Sequence, residues 1–210
     1  MTKSKEVKKL DTTTEEKIKV AARIVFYKKG YAATRTRDIA EEAGINLALL
    51  NYYFRSKEKL FDMIMLETVT NFMKTMVTIL NDKKSTLKKK VELVACHYIN
   101  FISKEPNIPM FMLSELRNNA GRLLENLPIK QLIMNSTFFK QHKEAVTKGK
   151  ITEPNPLHFL MNLLGLIVFP FIAQPLLQGV SGTSDKQFNQ LMQERKTLIP
   201  VWIKAIMKAK

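Results

Sequence analysis

A single cysteine, Cys96, stands in 210 residues, so no intramolecular disulfide can form and a reducing, cytoplasmic setting is expected. Histidine is scarce as well. His97, His142 and His158 lie far apart with no HExxH or CxxC partner, and GxSxG, Walker A and GxGxxG patterns are all missing. These absences leave no metal site, no cofactor and no catalytic residue to expect, and a helical enzyme without a recognisable motif is only a third reading. Alternating strand patterns, internal repeats and low-complexity tracts are lacking too. The first residues, MTKSKEVKKLDTTTEEK, carry charge but no apolar run, which argues against a signal peptide and for a flexible basic arm over 1–12.

What the chain has in excess is positive charge: 34 Lys and Arg against 19 Asp and Glu, a net +15. That balance asks for an anionic partner, duplex DNA or a membrane surface. It does not say where. Through Leu80 there are 15 basic against 10 acidic side chains, and the remainder has 19 against 9. The run KKSTLKKK at 83–90 reads as a solvated helix start that could attract an anionic effector.

Apolar periodicity is helical throughout. A first helix is predicted from Thr13, where Thr13 and Glu16 suit a capping box, to Gly30, with Ile18, Ala21, Ala22, Val25 and Phe26 inward. A long helix starts near Ser56 and reaches about Leu80, able to act as a rod between domains. Another begins near Ser85 and stops at Pro106 and Pro109. Short helices broken around Gly121, a helix over about 129–148, an apolar helix from Pro156 to Gln178 and a last helix after a Ser184–Gln187 capping box complete an all-α chain.

One stretch carries function. In Thr36 to Tyr53, TRDIAEEAGINLALLNYY, Ile39 and Ala43 share one face of a short helix, Gly44 can end it in the left-handed conformation, and Leu50 and Tyr53 return on a second helix. Ala40 sits where the two helices cross, and Asn46 stands at the N-cap of the second. This is the pattern of a helix-turn-helix, whose second helix enters a DNA major groove.

From Thr14 to Phe61 the chain resembles the tetracycline-repressor (TetR) family of transcription regulators. The resemblance rests on Ala21-Ala22, Phe26, Gly30-Tyr31, Thr34, Ile39-Ala40, Ala43-Gly44-Ile45, Leu50, Tyr53-Phe54 and Lys57-Glu58. Ala48 and Asn51 depart from the glycine and tyrosine more usual in the family, so no operator sequence carries over. The resemblance implies an N-terminal three-helix DNA-binding domain with a helix-turn-helix, here 13–58, and a C-terminal helical ligand-binding and dimerisation domain, here 59–210. Thr36, Tyr52, Tyr53 and Lys57 match family positions that contact the DNA backbone. Arg35 stands at the entrance of the preceding helix, although Tyr53 equally suits core packing. Leu47 and Ala48 would present apolar groups to thymine methyls, and Asn51 could pair with adenine N6 and N7.

A homodimer follows from the same resemblance, with two C-terminal helices of each subunit pairing as a four-helix bundle. Candidate interface residues are Leu164, Ile167, Phe171, Phe188, Leu191, Met192 and Trp202, although Trp202 equally suits the subunit core. The implied ligand pocket would take a small apolar or amphipathic effector, and Met110, Phe111, Met134 and Phe138 are candidates for its lining. The competing reading starts from 157–178, which contains no Asp, Glu, Lys or Arg over a length that could span a bilayer. It would make the chain a basic helical membrane protein. His158, Asn162, Gln174, Pro170 and Pro175 dilute that signal, no other membrane-length segment is expected, and no stable membrane association is expected.

Overall fold

The computed structural model describes residues 2–125 and 133–208, and side chains over 13–117 and 133–208. Every regular element among them is a helix: α1 (Thr2–Ala33), α2 (Thr36–Glu42), α3 (Leu47–Tyr53), α4 (Lys57–Asn81) and α5 (Leu87–Lys104) are followed by α6 (Ile108–Glu125), α7 (Thr137–Thr147), α8 (Pro156–Ile172), α9 (Gln174–Ser181) and α10 (Asp185–Ile206). The chain divides into two compact units. One is Met1–Asn71 with Phe111–Leu123, the other Phe72–Met110 with Leu124–Lys210.

In the first unit, Ile18, Ala21, Ala22, Val25 and Phe26 of α1 are all buried, as their spacing requires. The ring of Phe26 meets Phe61 of α4 edge-on at 5.0 Å, and Phe111 of α6 closes the cluster against Tyr27 (5.1 Å) and Phe61 (5.7 Å). Gly30 (φ 73°, ψ 172°) interrupts α1, a backbone geometry that glycine adopts without a Cβ penalty. The helix start expected at Thr13 is corrected: helical backbone begins at Thr2, and the stretch expected as a flexible arm contains no Gly or Pro to stop it. The side chains of 1–12 lie outside the described residues.

The second unit is built around α5, with α10 and α8 packed against it. Val91, Val94, Ala95 and Ile99 of α5, Phe138 of α7, Phe159, Leu163 and Ile167 of α8, and Phe188, Met192, Ile199 and Ile203 of α10 form one buried cluster. Each fully buried large side chain contributes about 1.5–3 kcal/mol relative to exposure. Lys90 is buried, not solvated as the run 83–90 suggested. Its ammonium donates to the carbonyls of Asp82 (2.5 Å) and Ser85 (2.8 Å) and to the Ser85 hydroxyl (3.0 Å), which ties together the turn between α4 and α5. Burial pushes its pKa down, opposed by the nearby Asp82 carboxylate.

Three expectations for this half change. α6 is one helix running past Gly121, and Pro109 lies in its first turn, where a missing N–H costs little. The predicted helix 156–178 is two helices bent by 67° at Ala173. Pro175 sits in the first turn of α9, and Gly182 (φ 68°) ends it. The helix predicted over 129–148 is broken: Ile133 and Met134 are helical, the chain turns at Asn135 and Ser136, and Ser136 caps α7 from Thr137, while 129–132 lie outside the described residues.

Pro170 lies inside α8 and has no N–H to give the carbonyl four residues back. That carbonyl, of Leu166, accepts instead from the guanidinium of Arg195 on α10 at 2.6 Å. The same guanidinium lies over the Trp202 ring, 4.9 Å from its centre.

The bent pair α8–α9 is apolar enough to qualify as a broken membrane span by composition, and α4 passes the same length and hydropathy test. The expectation of no second membrane-length segment is therefore corrected. Burial argues against the membrane-anchor reading, however. Phe159, Leu163, Ile167 and Phe171 of α8 and Leu60, Phe61, Ile64, Met76 and Leu80 of α4 are buried within the protein.

Candidate nucleic-acid interface

Two seven-residue helices, α2 and α3, are too short to persist alone, and buried contacts hold them. Ile39, Ala40 and Leu50 are almost fully enclosed. Ala40 is buried on α2, so a larger side chain there would have to displace its packed neighbours. Gly44 has φ 64°, and its backbone N–H donates to the Glu41 carbonyl at 3.1 Å while that of Ile45 reaches the Ala40 carbonyl at 3.0 Å. The chain thus reverses within three residues. Asn46 then caps α3, its side-chain oxygen accepting from the Leu49 N–H at 2.8 Å.

With Leu50 turned inward, α3 presents Leu47, Ala48, Asn51 and Tyr52 outward, all exposed. Tyr52 is 73% exposed and its ring meets Tyr53 edge-on at 5.3 Å. Tyr53 is half-buried, Arg35 exposed and Thr36 half-buried. The structure therefore places Leu47, Ala48, Asn51 and Tyr52 on one short surface, with Arg35 and Thr36 at the start of α2. At that start the Asp38 carboxylate accepts from the Arg35 backbone N–H at 2.9 Å and pairs with Lys29 at 3.1 Å. Those two contacts, the backbone one foremost, hold its pKa below the ordinary carboxylate value.

Lys57 has a structural task that its sequence position did not disclose. Its ammonium donates to the carbonyls of Tyr31 (3.0 Å) and Thr34 (2.8 Å) and lies 4.2 Å from the centre of the Tyr31 ring. It braces the α1–α2 corner, and a phosphate would have to share it. Leu49, not singled out from the sequence, is 37% exposed on α3. Its apolar type hid it, since apolar residues on a short helix read as core.

In the second unit several expected interface residues turn out to be interior. Ile167, Phe171, Phe188 and Met192 are buried in the subunit's own core, a correction that arises because α8 is apolar on most sides and its faces cannot be told apart by periodicity. Leu164 and Trp202 are half-buried and Leu191 is exposed. The uncovered large apolar residues on α8 are Leu157, Met161 and Phe169, at 52, 59 and 60% exposure, and on α10 Leu191, Leu198, Val201 and Ile206. The spacing 157, 161, 165, 169 is the signal that could have found them. The pocket expectation is also revised. Phe111 packs in the first unit against Tyr27 and Phe61, and Phe138 is buried in the second against Phe139 and Phe159. Met110 and Met134 are exposed. Among the described residues no group of three or more His, Cys, Asp or Glu could hold a metal.

Residues 18–64, the stretch that builds this corner, match the family model for bacterial regulatory proteins of the tetR family. That match assigns the segment 18–64 to regulatory proteins of the tetR family. The chain is 23% identical over 205 residues to the Probable HTH-type transcriptional regulator YttP of Bacillus subtilis (strain 168), covering 95% of this chain and 96% of that protein. Among solved structures it is similar to HlyIIR, a hemolysin II transcriptional regulator, with TM-score 0.60, 19% identity and coverage of 95% and 99%. It is similar also to the fatty acid degradation regulator FadR of Bacillus halodurans, with TM-score 0.61, 16% identity and coverage of 88% and 93%. These structural likenesses establish the all-helical fold. The matched segment and the full-length curated relative both point to a transcriptional regulator rather than an enzyme.

Proposed function

We propose that the chain is a cytoplasmic homodimeric repressor that binds double-stranded operator DNA through paired α3 helices and is released by a small apolar or amphipathic effector. The observation that carries this is the outer face of α3, where Leu47, Ala48, Asn51 and Tyr52 stand exposed on a helix fixed from beneath by Leu50 and at its start by Asn46. Asn51 offers an amide for adenine, the apolar groups of Leu47 and Ala48 suit thymine methyls, and Tyr52, Tyr53, Thr36, Arg35 and the remaining donor of Lys57 are suited to phosphates. Residues 13–58 would act as the reader and 59–210 as the ligand-binding and dimerisation part.

One reader touches few base pairs, so useful affinity needs two at a spacing of whole DNA turns. The exposed apolar stripe Leu157, Met161 and Phe169 with Leu191 and Leu198 supports pairing through α8 and α10. An effector releases DNA only if it prefers the DNA-incompetent form, and operator DNA must then weaken the effector by the same factor. The relative named for fatty acid degradation fits an amphipathic effector. Selection of bound sequences from random duplexes, with sedimentation of the complex, tests the reading. A two-fold-symmetric site bound by a dimer is expected, and failure to enrich any sequence would overturn it.

A further inference from the structure

Between α5 and α10, wholly within the second unit, lies a groove of about 410 Å³. Its apolar part is made by Leu93, Cys96, Pro200 and Val201, and four lysines also line it, Lys88, Lys89, Lys196 and Lys204. The one carboxylate in the lining, Glu92, is 3.0 Å from Lys89 and 3.9 Å from Lys88. Lys196 is held by Asn100 at 2.6 Å and by Gln193. Four positive charges against one negative leave a strong excess around an apolar floor.

That combination is specific in what it rejects. A bare inorganic anion would leave the apolar floor wetted, a neutral hydrocarbon would desolvate ammonium groups without compensating them, and a cation would be repelled. Lys89 to Cys96 spans seven residues of helix, about 10 Å, which is room for one alkyl chain. The volume lies in the range of small-molecule sites.

We propose that this groove binds a single-chain anionic amphiphile, a free medium-length fatty carboxylate, with its head group among the rim lysines and its chain over Leu93, Cys96, Pro200 and Val201. The site adds a ligand to the regulator whatever its operator. The buried Lys90 belongs to the α4–α5 turn and takes no part.

The full-length protein titrated calorimetrically with sodium decanoate tests this directly, and Cys96, the chain's single cysteine, supplies an independent local reporter through its rate of maleimide alkylation. Saturable binding is expected, with alkylation slowed several-fold. Decanol at equal concentration should do neither. Lys88→Glu with Lys204→Glu should weaken decanoate at least ten-fold and remove the protection. Val201→Glu, at a side chain 61% exposed in the folded protein, should do the same and serves if the double variant does not fold. The proposal is overturned if decanoate fails to bind, or if decanol matches it. It also falls if the charge-reversed chains bind equally, which would put the ligand elsewhere, or if only anionic phosphatidylglycerol vesicles protect Cys96. Operator binding, measured on the same variants, reports separately on the DNA-binding reading.

Discussion

Two uncovered faces, on α3 in the first unit and on α8 in the second, differ in what surrounds them. The α3 face mixes an amide, a phenol and small apolar groups, and each is aimed by a buried neighbour on the same seven-residue helix. The α8 face is Leu157, Met161 and Phe169, with nothing polar in their register except the space at Gly165. Both are exposed, yet exposure means different things. A polar face can stay in water until DNA arrives, whereas an apolar stripe of that size favours permanent cover. Under the proposed function, the first face binds DNA reversibly and the second stays covered by a partner subunit.

The comparison breaks most sharply on α10. Met192 is buried and Leu191 is 45% exposed, so adjacent glutamates should have unlike effects. Met192→Glu buries an unpaired carboxylate at a cost on the order of 3–5 kcal/mol and should unfold the second unit by circular dichroism. Leu191→Glu should leave the fold intact and convert a dimer into a monomer by sedimentation. Identical behaviour of the two would remove the distinction between core and interface on this helix.

Next in size is Lys57→Ala. Loss of two charge-assisted hydrogen bonds to Tyr31 and Thr34 should destabilise the first unit by about 1.5–3 kcal/mol, read as a lower Tm, and should reduce the salt dependence of DNA binding by at most about one phosphate. An unchanged Tm would show that the brace is dispensable. Asn51→Ala sharpens the α3 side of the comparison: no change in Tm, but a loss of about 1–3 kcal/mol in preference at one base pair per half-site. Equal losses on specific and random duplexes would refute a reading role.

The smallest effect concerns pH in the second unit. His142 is buried against Phe159, and its Nε2 has no hydrogen-bond partner among the described residues. Burial pushes its pKa below the ordinary 6.5, with the Glu153 carboxylate acting weakly the other way. The unfolded chain therefore takes a proton before the folded one does. Stability is constant above that ordinary value and falls as pH drops through it, by up to about 1.4 kcal/mol per pH unit, until the folded form also protonates. His142→Phe should flatten the Tm profile between pH 7.5 and 5.5, and a profile as steep as before would assign the slope to another group.

Much of the first unit was legible because its contacts are close in sequence. Gly44, Asn46 and Leu50 each have one geometric role within seven residues, and the structure assigns each that role. Lys57 was not, because its partners lie 23 and 26 residues upstream and carbonyl acceptors leave no side-chain signature. In the second unit a helix as apolar as α8 hides its orientation, so Ile167 and Phe171 looked no different from Phe169. Lys90 looked like its solvated neighbours because only the fold of the α4–α5 turn encloses it.

The Arg195 contact to the Leu166 carbonyl makes two distant positions hereditary partners. With Pro170 in place, position 195 must supply a donor of the right reach; with any other residue at 170, the helix can supply its own. Drift at one site is therefore conditional on the other, and the order in which the two change matters: losing the proline first is permissive, losing the arginine first strands a carbonyl. A lineage that carries alanine at 170 would be free to recruit position 195, and the Trp202 ring beneath it, for something new.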